Sequence, residues 1–161
     1  ILLARIHTIA SSMGKGIEPL LCYSEGHHLR VFLKVTALNN VTLKWISPKM
    51  EVVDEEVEGA AGPLWTEKII KSEMIPEDCE GVLGRFFDTL KEEADGPPGL
   101  YDINDMAKDA GIGQTPRRVK IVKALQDLDY FASSSVFSPL GIKTTAPEKK
   151  RNEALKLAQS L

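Results

Sequence analysis

Five basic side chains have the types and spacing needed to contact phosphate groups. They are Arg117, Arg118, Lys120, Lys123 and Lys143. At 3.6 residues per turn, positions 117, 120 and 123 of a helix share one face, opposite its apolar positions. Cationic side chains bind nucleic-acid phosphates by displacing counterions, without reading the base sequence. The pattern therefore predicts a phosphate-contacting surface, and the alternative is a helix whose charges only face water.

A helix-turn-helix is predicted to position these side chains. The first helix begins at Asp102 or Asn104, and Gly111–Gly113 forms the turn. Thr115 caps the second helix, followed by proline at its first helical position, and this helix ends near Leu128. Short strand-like segments follow, and Lys143 lies in the last of them, close to a glycine. This order of elements is typical of a winged helix-turn-helix.

The front of the chain reads as two long apolar strands within Gly16–Thr36. The second strand is apolar on both faces, which is typical of strands inside a larger, helix-covered sheet. Only a predicted helix, Ile1–Met13, precedes the pair. We therefore expect residues 1–38 to be the border of a sheet whose remainder lies upstream, together with much of the chemistry.

The middle of the chain is acidic and less regular. Glu51–Gly59 is expected to be a mobile connection because clustered like charges resist packing. Glu93 is expected to face water from the polar side of its helix. The remaining predicted elements are a strand at Val41–Ile46 and helices at Thr66–Glu73, Pro76–Ala94 and Glu148–Leu161.

Charge is distributed unevenly along the 161 residues, although the net charge is only −3. Residues 51–100 carry four bases against fourteen acids, whereas the segments before and after them are net basic. Basic ends fit a polyanionic partner that touches both of them. Two unrelated cysteines argue against a disulfide framework and favour a reducing cytoplasm, and no apolar run is long enough to span a membrane.

Other chemistry is not indicated by the sequence. The short glycine pairs lack the strand-to-helix context of a cofactor loop. His27 and His28 are adjacent in a strand, so their side chains point to opposite faces and cannot easily share a metal ion. We therefore assign no catalytic, cofactor-binding or metal-ligating residue.

Three segments, taken together, resemble one family. They are Gly16–Leu21 with Leu29–Val35, Ala61–Trp65, and Phe137–Thr144. In this order they are similar to motifs of the tRNA guanine-N2 dimethyltransferases, which make N2,N2-dimethylguanosine. The family's catalytic Asp-Pro-aromatic motif is absent, since the nearest match is Glu18-Pro19-Leu20. The cysteine pairs that many relatives carry before Gly-Pro-Leu-Trp are absent too.

The resemblance implies a division of the chain into three parts. Residues 1–38 would end a class I methyltransferase domain, 39–65 would connect, and 66–161 would form a helical, winged-helix-like tRNA-binding domain. The complete protein would use S-adenosylmethionine to methylate tRNA, through residues upstream of this chain. The chain alone would bind no cofactor and would be inactive, and its partners would be tRNA and the N-terminal methyltransferase portion.

We therefore predict an α+β fold, in which a remnant β-hairpin is followed by a mostly helical, winged-helix-like domain. The predicted function is tRNA binding within a cytoplasmic tRNA methyltransferase. Two alternatives remain open. One is a DNA-binding winged-helix module with an extra hairpin, and the other is a protein-interaction domain, which the acidic centre would favour.

Overall fold

The computed structural model describes residues 1–160. Five α-helices lie within them: α1 (Leu2–Ser12), α2 (Gly81–Glu93), α3 (Ile103–Asp109), α4 (Arg118–Asp127) and α5 (Glu148–Ser160). The strands of the same residues are β1 (Lys15–Glu25), β2 (His28–Ala37), β3 (Lys44–Ile46), β4 (Val52–Val53), β5 (Ala61–Leu64), β6 (Tyr101–Asp102), β7 (Ala132–Ser134) and β8 (Gly141–Thr144). The chain thus has an α+β fold, and none of the described helices is long and apolar enough to cross a membrane.

The two predicted front strands form a long antiparallel hairpin. β1 pairs with β2 from Lys15 opposite Ala37 to Glu25 opposite His28, with a bulge near Pro19. Helix α1 packs on β1, and the buried residues between them include Leu3 and Ile17. Burial is uneven: β1 is largely covered, whereas most of β2 is exposed.

The acidic connection is more ordered than the sequence indicated. Two β-branched residues inside it, Val52 and Val53, pair as β4 with Ile46 and Trp45 of β3. β5 lies on the other side of β3, which gives a three-stranded antiparallel sheet in the order β4-β3-β5. The prediction of a mobile connection was wrong at this point, because strand pairing outweighs local charge repulsion.

The predicted helix at Thr66–Glu73 is wrong. Ile70 forms an isolated antiparallel bridge with Leu21 of β1, and the Lys71 backbone N–H donates to the Leu20 carbonyl at 2.9 Å. Only a 3₁₀ turn, Ser72–Met74, remains of that helix. A long-range contact with the hairpin therefore overrides the local helical pattern, which single-sequence propensity cannot anticipate.

The rear of the chain packs four helices around a small sheet in the order β6-β8-β7. Of the two residues predicted to begin α3, Asp102 is the one that caps it, and its Oδ1 accepts from the Asn104 N–H at 2.8 Å. Helix α4 begins later than predicted, at Arg118, because Arg117 still has an extended backbone with ψ 138°. Helix α5 follows its predicted range to Ser160, and the predicted last residue, Leu161, lies outside the described residues.

The core of this rear block joins α3, α4, α5 and the sheet. Ile121, Leu125, Ile142 and Leu155 have no solvent-accessible surface and pack in one cluster. The predicted apolar stripe of α4 supplies two of these side chains. Its solvent-facing side carries mostly polar residues, with Val119 as an exposed apolar exception, and includes predicted phosphate contacts.

Candidate nucleic-acid interface

Helix α4 is the element that positions most of the predicted basic side chains. Its residues Ile121, Val122, Ala124 and Leu125 are buried, which fixes the rotation of the helix about its axis. Arg117 and Lys123 are consequently exposed, and Lys120 is half-buried. Arg117 and Lys120 line a groove of about 340 Å³ where α4 begins and α5 ends. The residues of that groove are Gln114, Thr115, Pro116, Arg117, Lys120, Ala158 and Gln159.

Lys123 lies further along the exposed side of α4. Its Nζ is 3.4 Å from Asp127 Oδ1, one helical turn away. A solvent-exposed pair of this type contributes only about 0.3–0.5 kcal/mol. An external phosphate could therefore replace Asp127 as the partner of Lys123 at little cost, although Asp127 offsets the charge of Lys123 while the pair is formed.

Arg118 has a different environment from its neighbours. It is half-buried, and its Nη1 donates to the carbonyl oxygens of Ser135 at 3.3 Å and Ser138 at 3.1 Å. The guanidinium therefore fastens the loop between β7 and β8 to the first turn of α4. The structure gives Arg118 an internal role, and only its unused donors remain for an external ligand.

Lys143 does not lie on the surface that was predicted for it. Its side chain is 6% exposed, because β8 is the central strand of its sheet and all four of its residues are buried. The Lys143 Nζ lies 3.6 Å from Glu93 Oε2 and 5.8 Å from the ring centroid of Phe137. The predicted phosphate contact at Lys143 is therefore corrected: the ammonium faces a carboxylate of its own chain.

Glu93 is the residue that sequence reasoning missed. It is fully buried rather than facing water, and it accepts from Ser135 Oγ at 2.7 Å and the Val136 N–H at 3.0 Å. A signal was present in the sequence. Position 93 follows Phe86 by seven residues and Leu90 by three, so the period of α2 places it on the apolar face.

A cleft of about 870 Å³ lies between the end of the hairpin and the segment that follows β5. Three lysines line it, and each is close to a carboxylate. The pairs are Lys44–Asp54, Lys68–Asp95 and Lys71–Glu18. The hydrogen bond between Lys71 and Glu18 lowers the pKa of the carboxyl and raises that of the ammonium. This cleft consequently offers less uncompensated positive charge than the first turn of α4.

Two glycines of the short glycine pairs lie against backbone of their own chain. A Cβ at Gly16 would lie 2.5 Å from the Ala37 carbonyl oxygen, and one at Gly84 would lie 2.3 Å from that of Cys79. Both glycines are thus required by close backbone packing within the chain.

Metal and thiol chemistry find little support within residues 1–160. His27 and His28 are exposed at the hairpin turn, and no group of three or more potential metal ligands occurs there or elsewhere in these residues. Cys22 is buried in the hairpin core, and burial raises the pKa of its thiol to about 11. This thiol is therefore held in its neutral, unreactive form.

The fold and the candidate site define an α+β chain in which a hairpin with one exposed strand is joined to a helical block with one basic helix face. The chain belongs to the N2,N2-dimethylguanosine tRNA methyltransferase family, whose model matches residues 38–156. This family is the one that the three sequence segments indicated.

Curated relatives support the same assignment. The chain is 27% identical over 169 residues to a tRNA (guanine(26)-N(2))-dimethyltransferase of Thermococcus kodakarensis, with 91% of this chain and 44% of the relative covered. A Pyrococcus furiosus protein of the same description is 28% identical over 173 residues, with 91% and 45% covered. The chain therefore spans about half the length of the curated relatives it matches.

A solved structure shares the fold. It is the complex of Trm1 from Pyrococcus horikoshii with S-adenosyl-L-methionine, which matches with a TM-score of 0.81 and 24% identity. The match covers 96% of this chain and 47% of that one. At this identity the likeness shows the fold, and it extends over the hairpin as well as the helical block.

Proposed function

We propose that this chain is the tRNA-holding part of a tRNA guanine-N2 dimethyltransferase. The complete protein would transfer methyl groups from S-adenosylmethionine to a tRNA guanine, and the residues described here would grip the tRNA without methylating it alone. Family membership and the descriptions of the relatives support the substrate and the reaction. The cytoplasmic location expected from cysteine usage stays a prediction.

The observation that carries this proposal is the basic first turn of α4. Arg117 and Lys120 line one groove beside α5, and the exposed Lys123 extends the same side of the helix. Structured RNA is bound largely through its backbone and shape, which requires phosphate contacts and no base reading. We assign the tRNA contacts to these three side chains, keep Arg118 as a secondary contact, and omit Lys143.

The helical block is proposed to be a winged-helix-like domain. Its support is the order of elements α2, β6, α3, α4, β7 and β8, with the strands arranged β6-β8-β7. In such domains the second helix of the helix-turn-helix contacts nucleic acid, and here that helix is α4. We retain the proposed limits of the three parts: 1–38, 39–65 and 66–161.

The hairpin is proposed to be the border of the methyltransferase sheet. β2 is hydrogen-bonded to β1 on one side, and no other strand of residues 1–160 pairs with it. Leu29 and Val35 of β2 are 52% and 61% exposed, which is unusual for apolar residues of a long strand. A strand and helices of the methyltransferase portion would cover this edge and the exposed apolar residues of β2.

Filter binding of the chain to tRNA tests the proposed function. We expect salt-sensitive binding to tRNA and much weaker binding to duplex DNA of similar length. A preference for a particular DNA site would instead support a DNA-binding winged helix. Absence of salt-sensitive binding to either nucleic acid would contradict the proposal and leave a protein-interaction domain, which the acidic segment 51–58 would favour.

A further inference from the structure

Two motifs that are distant in sequence meet at one small cavity. Trp65, from the segment Ala61–Trp65, and Lys143, from the segment Phe137–Thr144, both line a space of about 110 Å³. Glu93, at the end of α2, lines the same space. The cavity therefore lies where the part of the chain that contacts the hairpin meets the helical block that carries α4.

The charges at this cavity are held inside the protein. Glu93 and Lys143 are 0% and 5% exposed, and each is the nearest opposite charge to the other, at 3.6 Å. A buried charge is tolerated only when an opposite charge and hydrogen bonds compensate it. Loss of one partner would leave the other uncompensated, so the pair constrains the local structure tightly.

The contacts of this pair continue to the basic helix. The Glu93 carboxylate accepts hydrogen bonds from Ser135 Oγ and the Val136 N–H, at the start of the loop between β7 and β8. The carbonyl oxygens of Ser135 and Ser138 in that loop accept from Arg118. A continuous set of hydrogen bonds and one ion pair thus connects the end of α2 to the first turn of α4.

We propose that Glu93 and Lys143 are positioning residues for the tRNA-contacting surface. They fix the β7–β8 loop, and Arg118 ties this loop to the first turn of α4. The buried face of α4 sets the rotation of the helix, and the loop holds in place the first turn from which Arg117 and Lys120 face the groove beside α5. This inference rests on the proposed function. It differs from a direct phosphate contact at Lys143, because here a buried charge acts on RNA binding without touching RNA.

A charge-conserving substitution separates the positioning role of Arg118 from the contribution of its positive charge to tRNA binding. Arg118→Lys keeps the positive charge but loses the planar guanidinium that reaches two carbonyl oxygens. We expect tRNA affinity to fall about tenfold, a size typical of substitutions within coupled networks, with an unchanged slope of log affinity against log salt. Lys123→Arg, the matched exchange at an exposed site, should change affinity less than twofold. Wild-type affinity in Arg118→Lys would overturn the inference.

A pair of core variants tests the buried charges. Lys143→Met leaves Glu93 uncompensated, and tRNA affinity of the folded protein should again fall about tenfold. Glu93→Gln combined with Lys143→Met removes both charges, keeps partners for Ser135 and Val136, and should return affinity to within about twofold of wild type. A double variant as weak as Lys143→Met would mean that the ammonium contacts RNA directly, and would overturn the positioning role.

Hydrogen exchange gives a readout that does not depend on RNA. The Lys120 and Ile121 amides donate to the Arg117 carbonyl at 2.9 and 3.3 Å. Lys143→Met should lower their protection relative to amides of α5, and unchanged protection would contradict the positioning role. If wild type failed to bind tRNA while protection fell as expected, the proposed function would fail and the mechanical coupling would stand. If Lys143→Met does not fold, the result for Arg118→Lys tests the positioning role, since this variant leaves the buried Glu93–Lys143 pair intact.

Discussion

Arg117, Lys120 and Lys143 carry the same charge, yet their surroundings give them different roles. The first two border a groove at the start of α4, whereas Lys143 is covered by its own sheet. Sequence period could identify the polar face of α4 because one helix determines it. The burial of Lys143 depends on β8 becoming the central strand of its sheet, which no local pattern of the sequence indicates.

The double variant Arg117→Ala with Lys120→Ala should weaken tRNA binding and reduce its salt dependence. Log affinity falls linearly with log salt, and each lost phosphate contact makes this negative slope shallower by about 0.7 to 0.9. Filter binding across a salt series measures both effects. The matched control is Lys68→Ala with Arg85→Ala, which removes two exposed basic side chains from the acidic middle of the chain. Equal losses in the two double variants would show that only net charge matters and would remove the groove from the interface.

Cys22 should make stability depend on pH in the alkaline range. Its thiol has a folded-state pKa of about 11 against an ordinary value of 9.0. Between these values the unfolded state loses the thiol proton and the folded state keeps it, so the free energy of unfolding falls as pH rises. Denaturant titrations of wild type and Cys22→Ala from pH 8 to about pH 11 measure the effect. If the free energy of unfolding depended on pH in the same way in both proteins, Cys22 would not be the cause.

At the scale of elements, the sequence predicted those whose pattern is local. The hairpin, α3 and α5 follow from the pattern of their apolar residues. The segment Thr66–Glu73 could not be predicted, because its conformation is set by pairing with a strand about fifty residues earlier in the sequence. The burial of Glu93 is indicated by the period of α2, whereas its partners Ser135 and Val136 depend on long-range packing that no local pattern shows.

The exposed strand β2 should promote self-association of the chain. An open strand edge with apolar neighbours pairs readily with another copy, and edge lysines prevent this. We expect concentration-dependent association in analytical ultracentrifugation, which Leu29→Lys with Val35→Lys should abolish without lowering the melting temperature. Val82→Lys is the control, since Val82 is 77% exposed on helix α2. A strictly monomeric wild type, or an equal effect of Val82→Lys, would contradict a role for β2.

At the scale of the whole molecule, an acidic protein is proposed to bind a polyanion. Residues 51–100 carry a net charge of −10, so approach to tRNA must be oriented by the basic ends. Sequence alone indicated this asymmetry, because charge can be counted without knowing the fold. Only the structure shows that part of the acidic segment pairs as a strand and presents Glu55, Glu56 and Glu58 to solvent.

Neutralising this acidic segment should speed association with tRNA. Glu55→Gln, Glu56→Gln and Glu58→Gln together remove a repulsive field, and the association rate should rise severalfold at low salt. The difference should vanish near 1 M salt, where screening acts within about 3 Å. Stopped-flow experiments measure the association rates of wild type and the triple variant at low and high salt. Val57→Thr is an uncharged control in the same segment. A rate increase that persists at high salt would point to a conformational cause.

The pairing of Glu93 with Lys143 also bears on how this family can diverge. Because either residue alone would be an uncompensated charge in the interior, replacement of one favours replacement of the other. Relatives carrying a neutral residue at the position of Lys143 should therefore carry a neutral residue at that of Glu93. Such correlated inheritance would mark the two positions as one unit, although fifty residues of chain separate them.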